Sequence, residues 1–133
     1  MKKNAKWSVF MVDDSDIARF TFRLALELNK DFQIIGEAAT AEDALDKLNK
    51  TPCDLVIVDV SLDTSTIDGL ELTVEIKRRW PKLPVLIFSV HPECDYSSKA
   101  KIAGADGYIS KSRPFNEVLD IVYEILRRET PRD

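Results

Sequence analysis

Short apolar runs alternate with longer amphipathic segments along this chain, and the alternation is repeated five times. The apolar runs predict strands at residues 7–12, 32–37, 55–58, 85–88 and 108–109. The amphipathic segments predict helices at residues 15–29, from 40 onward, at about 69–80 and 95–103, and from 114 onward. The run Leu55–Val58 contains no polar position, which is typical of a central strand that is buried on both faces.

Particular residues mark the ends and faces of the helices. Thr40, with Asp43 after it, resembles a capping box with a shorter acid. Pro114 is of a type favoured at a first helical position, and Gly104 at a helix end. The apolar positions close to one face of the first helix are Ile17, Phe20, Leu24 and Leu28. Those of the second helix are Ala41, Ala44, Leu45 and Leu48. Those of the last helix are Phe115, Val118, Leu119, Val122, Ile125 and Leu126. Such a face normally packs on the core.

Five consecutive strand–helix units predict an α/β fold, a parallel sheet with helices on both faces. Right-handed crossovers leave few arrangements, and the common order for five strands is 2-1-3-4-5, the flavodoxin-like doubly wound sheet. The 133 residues, 44% of them apolar, suit one domain. We expect a single domain over residues 1–133 with a core at about 7–128, and residues 129–133 as a charged tail or the start of a linker.

Polar side chains follow four of the predicted strands where each strand ends. Asp13 and Asp14 follow the first strand, Asp59 the third, Ser89 the fourth and Lys111 the fifth. Because the carboxyl ends of parallel strands meet at one edge of the sheet, we expect these side chains to converge. Three carboxylates close together require a cation, and hard oxygen ligands favour Mg²⁺. With a lysine and a hydroxyl added, the set is suited to a phosphoryl group.

Each of these residues has a simpler explanation when it is considered alone. An Asp-Asp pair is usually a turn or a helix cap, and a lone Asp after a strand is a common turn residue. Ser89 and Lys111 are individually uninformative. Their joint placement after neighbouring strands is what favours a functional site.

A wider set of residues resembles the receiver domain of two-component response regulators over residues 7 to 128. The matching positions are Val12, Asp13, Asp14, Asp59, Asp68, Gly69, Ser89, 104–108 and Lys111. The stretch from Gly104 to Lys111 resembles receivers of the NarL/FixJ type, with Ser112 after the lysine where many receivers have proline. The segment 84–91 resembles the same type. The resemblance implies a phospho-accepting switch with Asp59 as the acceptor and a histidine kinase or phosphotransfer protein as the donor.

The resemblance also implies individual roles. Asp14 would bind Mg²⁺ directly and Asp13 largely through water, with Asp59 and the backbone carbonyl of Ser61 as the other ligands. Lys111 would pair with the phosphoryl oxygens. The switch residues would be Ser89 and Tyr108. The face formed by the fourth helix, fifth strand and fifth helix is where a homodimer would form; here it would include Tyr96, Lys99, Tyr108 and Arg113.

The segment after Asp59 departs from the family pattern. The segment 60–68 is longer than usual and contains no proline, so we expect a more mobile loop around Ser61. Its hydroxyl residues Thr64, Ser65 and Thr66 are better explained as a solvated loop than as a regulatory site. Ser61 and His91 would flank the phosphoryl group, and we hypothesise that they tune its lifetime.

Other function classes fit the residues less well. A receiver-like interaction module that is never phosphorylated would lose the acidic pair, Asp59 or Lys111, and all are present. A small aspartyl phosphatase of the haloacid-dehalogenase type places its nucleophile after the first strand, with a second Asp two residues on. An FMN-binding protein needs a phosphate loop there, which the acidic residues 13–16 would repel. We expect no enzymatic activity beyond self-catalysed phosphorylation and dephosphorylation.

Charge and composition limit the partners and the compartment. The net charge of −4 argues against nucleic-acid binding by this chain, and no apolar run approaches the roughly 20 residues of a membrane span. We therefore expect a cytoplasmic protein. Cys53 and Cys94 fit reduced thiols without zinc-ligand spacing. Trp7 and Trp80 are predicted to pack at the end of the sheet away from the site.

Overall fold

Five strands and five helices alternate in the part of the chain described by the structure. This computed structural model describes residues 6–63, 65–91 and 93–129, and for residues 93–95 and 129 it describes only the backbone. The elements are β1 Trp7–Val12, α1 Asp16–Glu27, β2 Phe32–Ala38, α2 Ala41–Lys50, β3 Leu55–Val58, α3 Gly69–Arg79, β4 Val85–Ser89, α4 Glu93–Ala103, β5 Gly107–Ser110 and α5 Phe115–Glu129. The predicted bounds agree with these to within two or three residues.

The strands form one parallel sheet in the order β2-β1-β3-β4-β5, which confirms the predicted flavodoxin-like fold. The register between β1 and β3 places Val12 beside Val58. The N–H of Asp59 donates to the carbonyl of Val12 at 2.9 Å. As a result, the carboxylates that follow β1 and β3 leave the sheet at the same level and at the same edge.

The core has two halves, one on each side of the sheet. One half joins strand side chains to α1 and α5, and the other joins strand side chains to α2, α3 and α4. Thr40 caps α2 as the sequence indicated and accepts from the N–H of Asp43, whereas Ser15, predicted as the first residue of the helix, is the N-cap of α1 and accepts from the N–H of Ala18. At α3, Asp68 and Glu71 form both halves of a capping box. These caps fix where each helix starts relative to the adjacent strand end.

The apolar face predicted for α1 does not face the core. Its residues are largely exposed: Ile17 78%, Phe20 61%, Leu24 54% and Leu28 86%. The buried residues of α1 are instead Phe22 and Leu26. Phe22 packs edge-on against Phe88 and Phe115, with ring centroids 5.2 and 5.4 Å apart. Apolar residues lie on more than one side of α1. The side that is buried is the one whose Phe22 packs against the aromatic rings of β4 and α5.

The aromatic and thiol side chains at the opposite end of the sheet pack as predicted. Trp7 is buried and stacks on Phe32 at a centroid distance of 5.7 Å, and Trp80 is half-buried against the second half of the core. The half-buried Cys53 is a free thiol, and burial raises its pKa to about 12. None of the described helices is long and apolar enough to cross a membrane.

Some predictions fall on positions that the structure does not describe. Thr64 and residues 130–133 lie outside the described residues, as does the side chain of Cys94. Of the predicted charged tail, the backbone of Glu129 is described, and it forms the last residue of α5.

Candidate functional site

The ends of β1 and β3 bring three carboxylates together. Asp13 and Asp59 are only 3% and 7% exposed, and Asp14 is half-buried beside them. One oxygen from each of the three lies within 4.8 Å of the others. Such a group of hard oxygen donors fits Mg²⁺ better than it fits zinc, which prefers nitrogen and sulfur ligands.

Lys111 reaches this cluster from the end of β5. Its Nζ lies 2.7 Å from Asp13 Oδ2 and 3.4 Å from Asp59 Oδ2. The backbone N–H of Lys111 donates to the carbonyl of Ser89 at 2.6 Å, which ties the residue to the end of β4. One ammonium therefore faces three carboxylates, and the site retains an excess of negative charge that a divalent cation would balance.

The pKa shifts follow from this arrangement. Burial raises the pKa of Asp59; the charge of Lys111 opposes this shift, and the nearby charge of Asp13 adds to it. Burial alone would lower the pKa of Lys111, but its bond to Asp13 and the charges of both carboxylates outweigh burial and raise it. The ammonium form of Lys111 is thus stabilised where it can neutralise incoming phosphoryl oxygens.

Gly69 lies directly beneath the backbone of Asp59. A Cβ atom at this position would lie 2.0 Å from the Asp59 carbonyl oxygen, far inside contact distance. The Gly69 N–H donates to the carbonyl of Val60 at 2.8 Å, so α3 begins against the segment that carries the acceptor. The Asp-Gly pair of the sequence pattern thus has a packing reason: only glycine permits this approach.

The two predicted switch residues both contact the backbone of His91. Ser89, at the end of β4, is fully buried, and its Oγ accepts the His91 N–H at 3.2 Å. Tyr108, on β5, donates from its hydroxyl to the His91 carbonyl at 3.0 Å. The Tyr108 ring is nearly parallel to that of Tyr96, with centroids 6.4 Å apart. This link could not be predicted from the sequence, because His91 takes part in it through main-chain atoms.

Ser61 also lies next to the cluster, two residues after Asp59. Its N–H donates to Asp59 Oδ1 at 3.3 Å. The role of its carbonyl as a metal ligand stays a prediction.

Two other contacts to the acidic pair were not predicted. The N–H of Asp63 donates to Asp14 Oδ2 at 2.9 Å. The guanidinium of Arg19 donates to the backbone carbonyl of Asp13 and is paired with Glu37. The Asp63 contact leaves no mark in the sequence, because any residue except proline could donate that N–H.

Comparison with known proteins shows where this fold and residue pattern recur. The family model of the response regulator receiver domain matches residues 9–123. The response regulator protein VraR of Staphylococcus aureus is 30% identical over 122 residues, covering 92% of this chain and 57% of VraR. The response regulator UvrY of Escherichia coli is 33% identical over 118 residues, covering 89% of this chain and 53% of UvrY. The chain thus spans just over half the length of these relatives.

Solved structures of response regulators also superpose on this chain. A two-component response regulator of the LuxR family from Aurantimonas superposes with a TM-score of 0.87 at 30% identity, covering 93% of this chain and 87% of that one. The receiver domain of NtrX from Brucella abortus superposes with a TM-score of 0.77 at 28% identity, covering 90% and 98%.

Proposed function

Because the chain belongs to the response regulator receiver family, we propose that it is a phosphorylation-dependent signalling switch whose phosphoryl acceptor is Asp59. The observation that supports this assignment most strongly is the cluster formed by Asp13, Asp14 and Asp59, with Lys111 bonded into it. Asp59 is the member of the cluster that follows the central strand β3, and Lys111 is bonded to it as well as to Asp13.

In the proposed step, an oxygen of the Asp59 carboxylate attacks the phosphorus of a phosphohistidine or small phosphodonor. A phosphorus–oxygen bond forms, and the bond between phosphorus and the donor atom breaks, with its electron pair leaving on the donor. Asp13, Asp14, Asp59 and the carbonyl of Ser61 would hold Mg²⁺. When bound, Mg²⁺ would neutralise charge on the phosphoryl oxygens.

Lys111 is proposed to exchange carboxylate partners for phosphoryl oxygens. Before phosphorylation its ammonium is bonded to Asp13 and Asp59. A phosphoryl group adds about 1.5 to 2 negative charges and strong acceptor oxygens. The Ser89 hydroxyl, at the end of the neighbouring strand, is proposed to bond to the same group, and the change reaches Tyr108 through the His91 backbone.

The proposed partners follow from this role. A histidine kinase or phosphotransfer protein would supply the phosphoryl group, and the α4–β5–α5 face is proposed to mediate a homodimer. We propose that the protein is cytoplasmic, that this chain does not itself contact nucleic acid, and that its chemistry is limited to its own phosphorylation and dephosphorylation.

The decisive test is the intact mass of the protein after incubation with acetyl phosphate, with and without Mg²⁺. We expect one added phosphoryl group that requires Mg²⁺ and is absent from Asp59→Asn. The matched control is Asp46→Asn, which removes an exposed carboxylate from α2. If the wild-type protein stays unmodified with both acetyl phosphate and a phosphorylated kinase, the unphosphorylated interaction module replaces this proposal.

A further inference from the structure

The carboxylate of Asp14 is held by a backbone group of the long loop between β3 and α3. The Asp63 N–H donates to Asp14 Oδ2 at 2.9 Å, from 49 positions further along the chain. Within the described residues, this is the only hydrogen bond to the Asp14 carboxylate, whereas that of Asp13 accepts bonds from Ser15 and Lys111. Among the described residues, a single neutral N–H is therefore the hydrogen-bond donor that orients the Asp14 carboxylate.

We propose that the Asp63 N–H is a positioning group that preorganises Asp14 for Mg²⁺, so that the β3–α3 loop sets the metal affinity of the site. The inference rests on the proposed function, since it requires Asp14 to be a metal ligand. A neutral N–H orders a carboxylate and leaves its negative charge in place. An ammonium partner would cancel that charge. Groups that hydrogen-bond to a metal ligand from behind typically contribute substantially to metal affinity, because they fix the ligand's orientation.

The loop is able to hold this N–H in place because it is anchored on both sides of it. On one side, Leu62 is only 4% exposed, and its carbonyl accepts the Ser65 N–H at 2.9 Å. On the other side, the Ser65 hydroxyl accepts the N–H of Ala41, the first residue of α2, at 2.8 Å. The N–H of Thr66 donates to Glu42 Oε2 at 3.0 Å.

These anchors have a second consequence for α2. The N–H groups of a first helical turn have no partner within the helix, and Ser65 supplies one for Ala41. The loop thus joins the start of α2 to the acidic cluster. These bonds argue against the expected mobility of the longer, proline-free loop at residues 60–68.

Calorimetric titration of Mg²⁺ into the full, unphosphorylated chain tests the proposal without any phosphodonor. Asp63→Pro removes the N–H, and Asp63→Ala keeps it while removing the exposed side chain. We expect Asp63→Pro to weaken Mg²⁺ binding by about tenfold, the lower end of the effects seen when such outer partners are lost. We expect Asp63→Ala to bind Mg²⁺ with nearly the wild-type affinity.

Circular dichroism must show that Asp63→Pro is folded, because proline also restricts the backbone of Leu62. If it does not fold, the double variant Glu42→Ala/Ser65→Ala decides the question, since it removes the carboxylate that accepts from Thr66 and the hydroxyl that accepts from Ala41, and so detaches the loop from α2 but keeps the Asp63 N–H. A smaller loss of affinity is expected there, and an unchanged affinity would overturn the proposal.

The outcomes separate the two proposals. If the wild-type protein binds Mg²⁺ and is phosphorylated, but folded Asp63→Pro binds as tightly as Asp63→Ala, only the positioning role is wrong. If the wild-type protein binds no Mg²⁺, the metal site of the proposed function is wrong, and the positioning role falls with it.

Discussion

The hydroxyl of Tyr108 donates a hydrogen bond to the backbone carbonyl of His91, with an oxygen–oxygen distance of 3.0 Å. The N–H of His91 in turn donates to Ser89 Oγ at 3.2 Å. The backbone at the start of the β4–α4 connection is therefore held between two side chains proposed to respond to phosphorylation. If Ser89 turns towards a phosphoryl group, one of these two bonds is released and the connection is free to move.

Replacing Tyr108 with Phe should lower the free energy of unfolding. The variant keeps the ring but loses the bond to the His91 carbonyl, which is worth about 1 kcal/mol for a partly buried neutral pair. Urea denaturation measures the change. Tyr96→Phe is the control, because no hydrogen bond from the Tyr96 hydroxyl is found in the described part of the chain. Equal losses in the two variants would mean that the bond to His91 contributes nothing to stability.

Asp59→Asn should stabilise the protein at neutral pH in the absence of Mg²⁺. Burial raises the pKa of Asp59 in the folded state, so this group's contribution to stability falls as the pH rises from 3.8, its ordinary pKa, through the folded-state pKa. Asparagine does not titrate, so position 59 carries no buried negative charge at any pH, as in the wild-type protein at low pH. We expect a gain at pH 7 of about 0.5 to 2 kcal/mol, the range common for stabilising substitutions.

The same comparison at low pH provides the check. The advantage of Asp59→Asn should shrink as the pH falls towards 3.8 and the wild-type carboxyl becomes protonated. Thermal unfolding at a series of pH values measures this, with Asp46→Asn as the exposed control. An advantage independent of pH would show that the buried charge is not its cause.

Gly69→Ala should disturb both stability and phosphorylation. The new Cβ would meet the Asp59 carbonyl at 2.0 Å, so either α3 or the acceptor segment must move. Such overpacking costs about 1–3 kcal/mol. Gly104→Ala is a useful control, because Gly104 has a φ of 99° and lies outside the acidic cluster. It should lose stability while the rate of phosphorylation by acetyl phosphate stays at the wild-type value.

His91→Ala tests whether the imidazole tunes the lifetime of the phosphoryl group. Both His91 bonds to Ser89 and Tyr108 are made by its backbone, so the variant keeps them and reports on the side chain alone. The ring packs on Tyr96 at 4.4 Å, and its loss should admit water and shorten the half-life by about threefold or more. Mass spectrometry over time measures the decay, with the exposed Val90→Ala as the control. An unchanged lifetime would show that the His91 imidazole does not affect dephosphorylation.

Much of the candidate site could be predicted because it depends on sheet topology alone. A parallel order of 2-1-3-4-5 places the residues after β1, β3, β4 and β5 at one edge, whatever the details of packing. Asp13, Asp59 and Lys111 needed only to follow their strands in order to meet. The contacts made by the backbones of Asp63 and His91 were missed, because an N–H or a carbonyl is present at nearly every residue and carries no sequence signal.

What the sequence determined by itself is the order of elements and the charged ends of the strands, since alternation, capping residues and apolar runs are local properties. The strand order followed from the few arrangements that right-handed crossovers allow. What the tertiary structure decided is which side of α1 is buried and how the long loop is held. Phe22 enters the core because the rings of Phe88 and Phe115 are there to receive it, while Phe20 stays 61% exposed on the same helix. Helical periodicity groups residues on faces, but only the partner surface determines which of two apolar faces loses its contact with water.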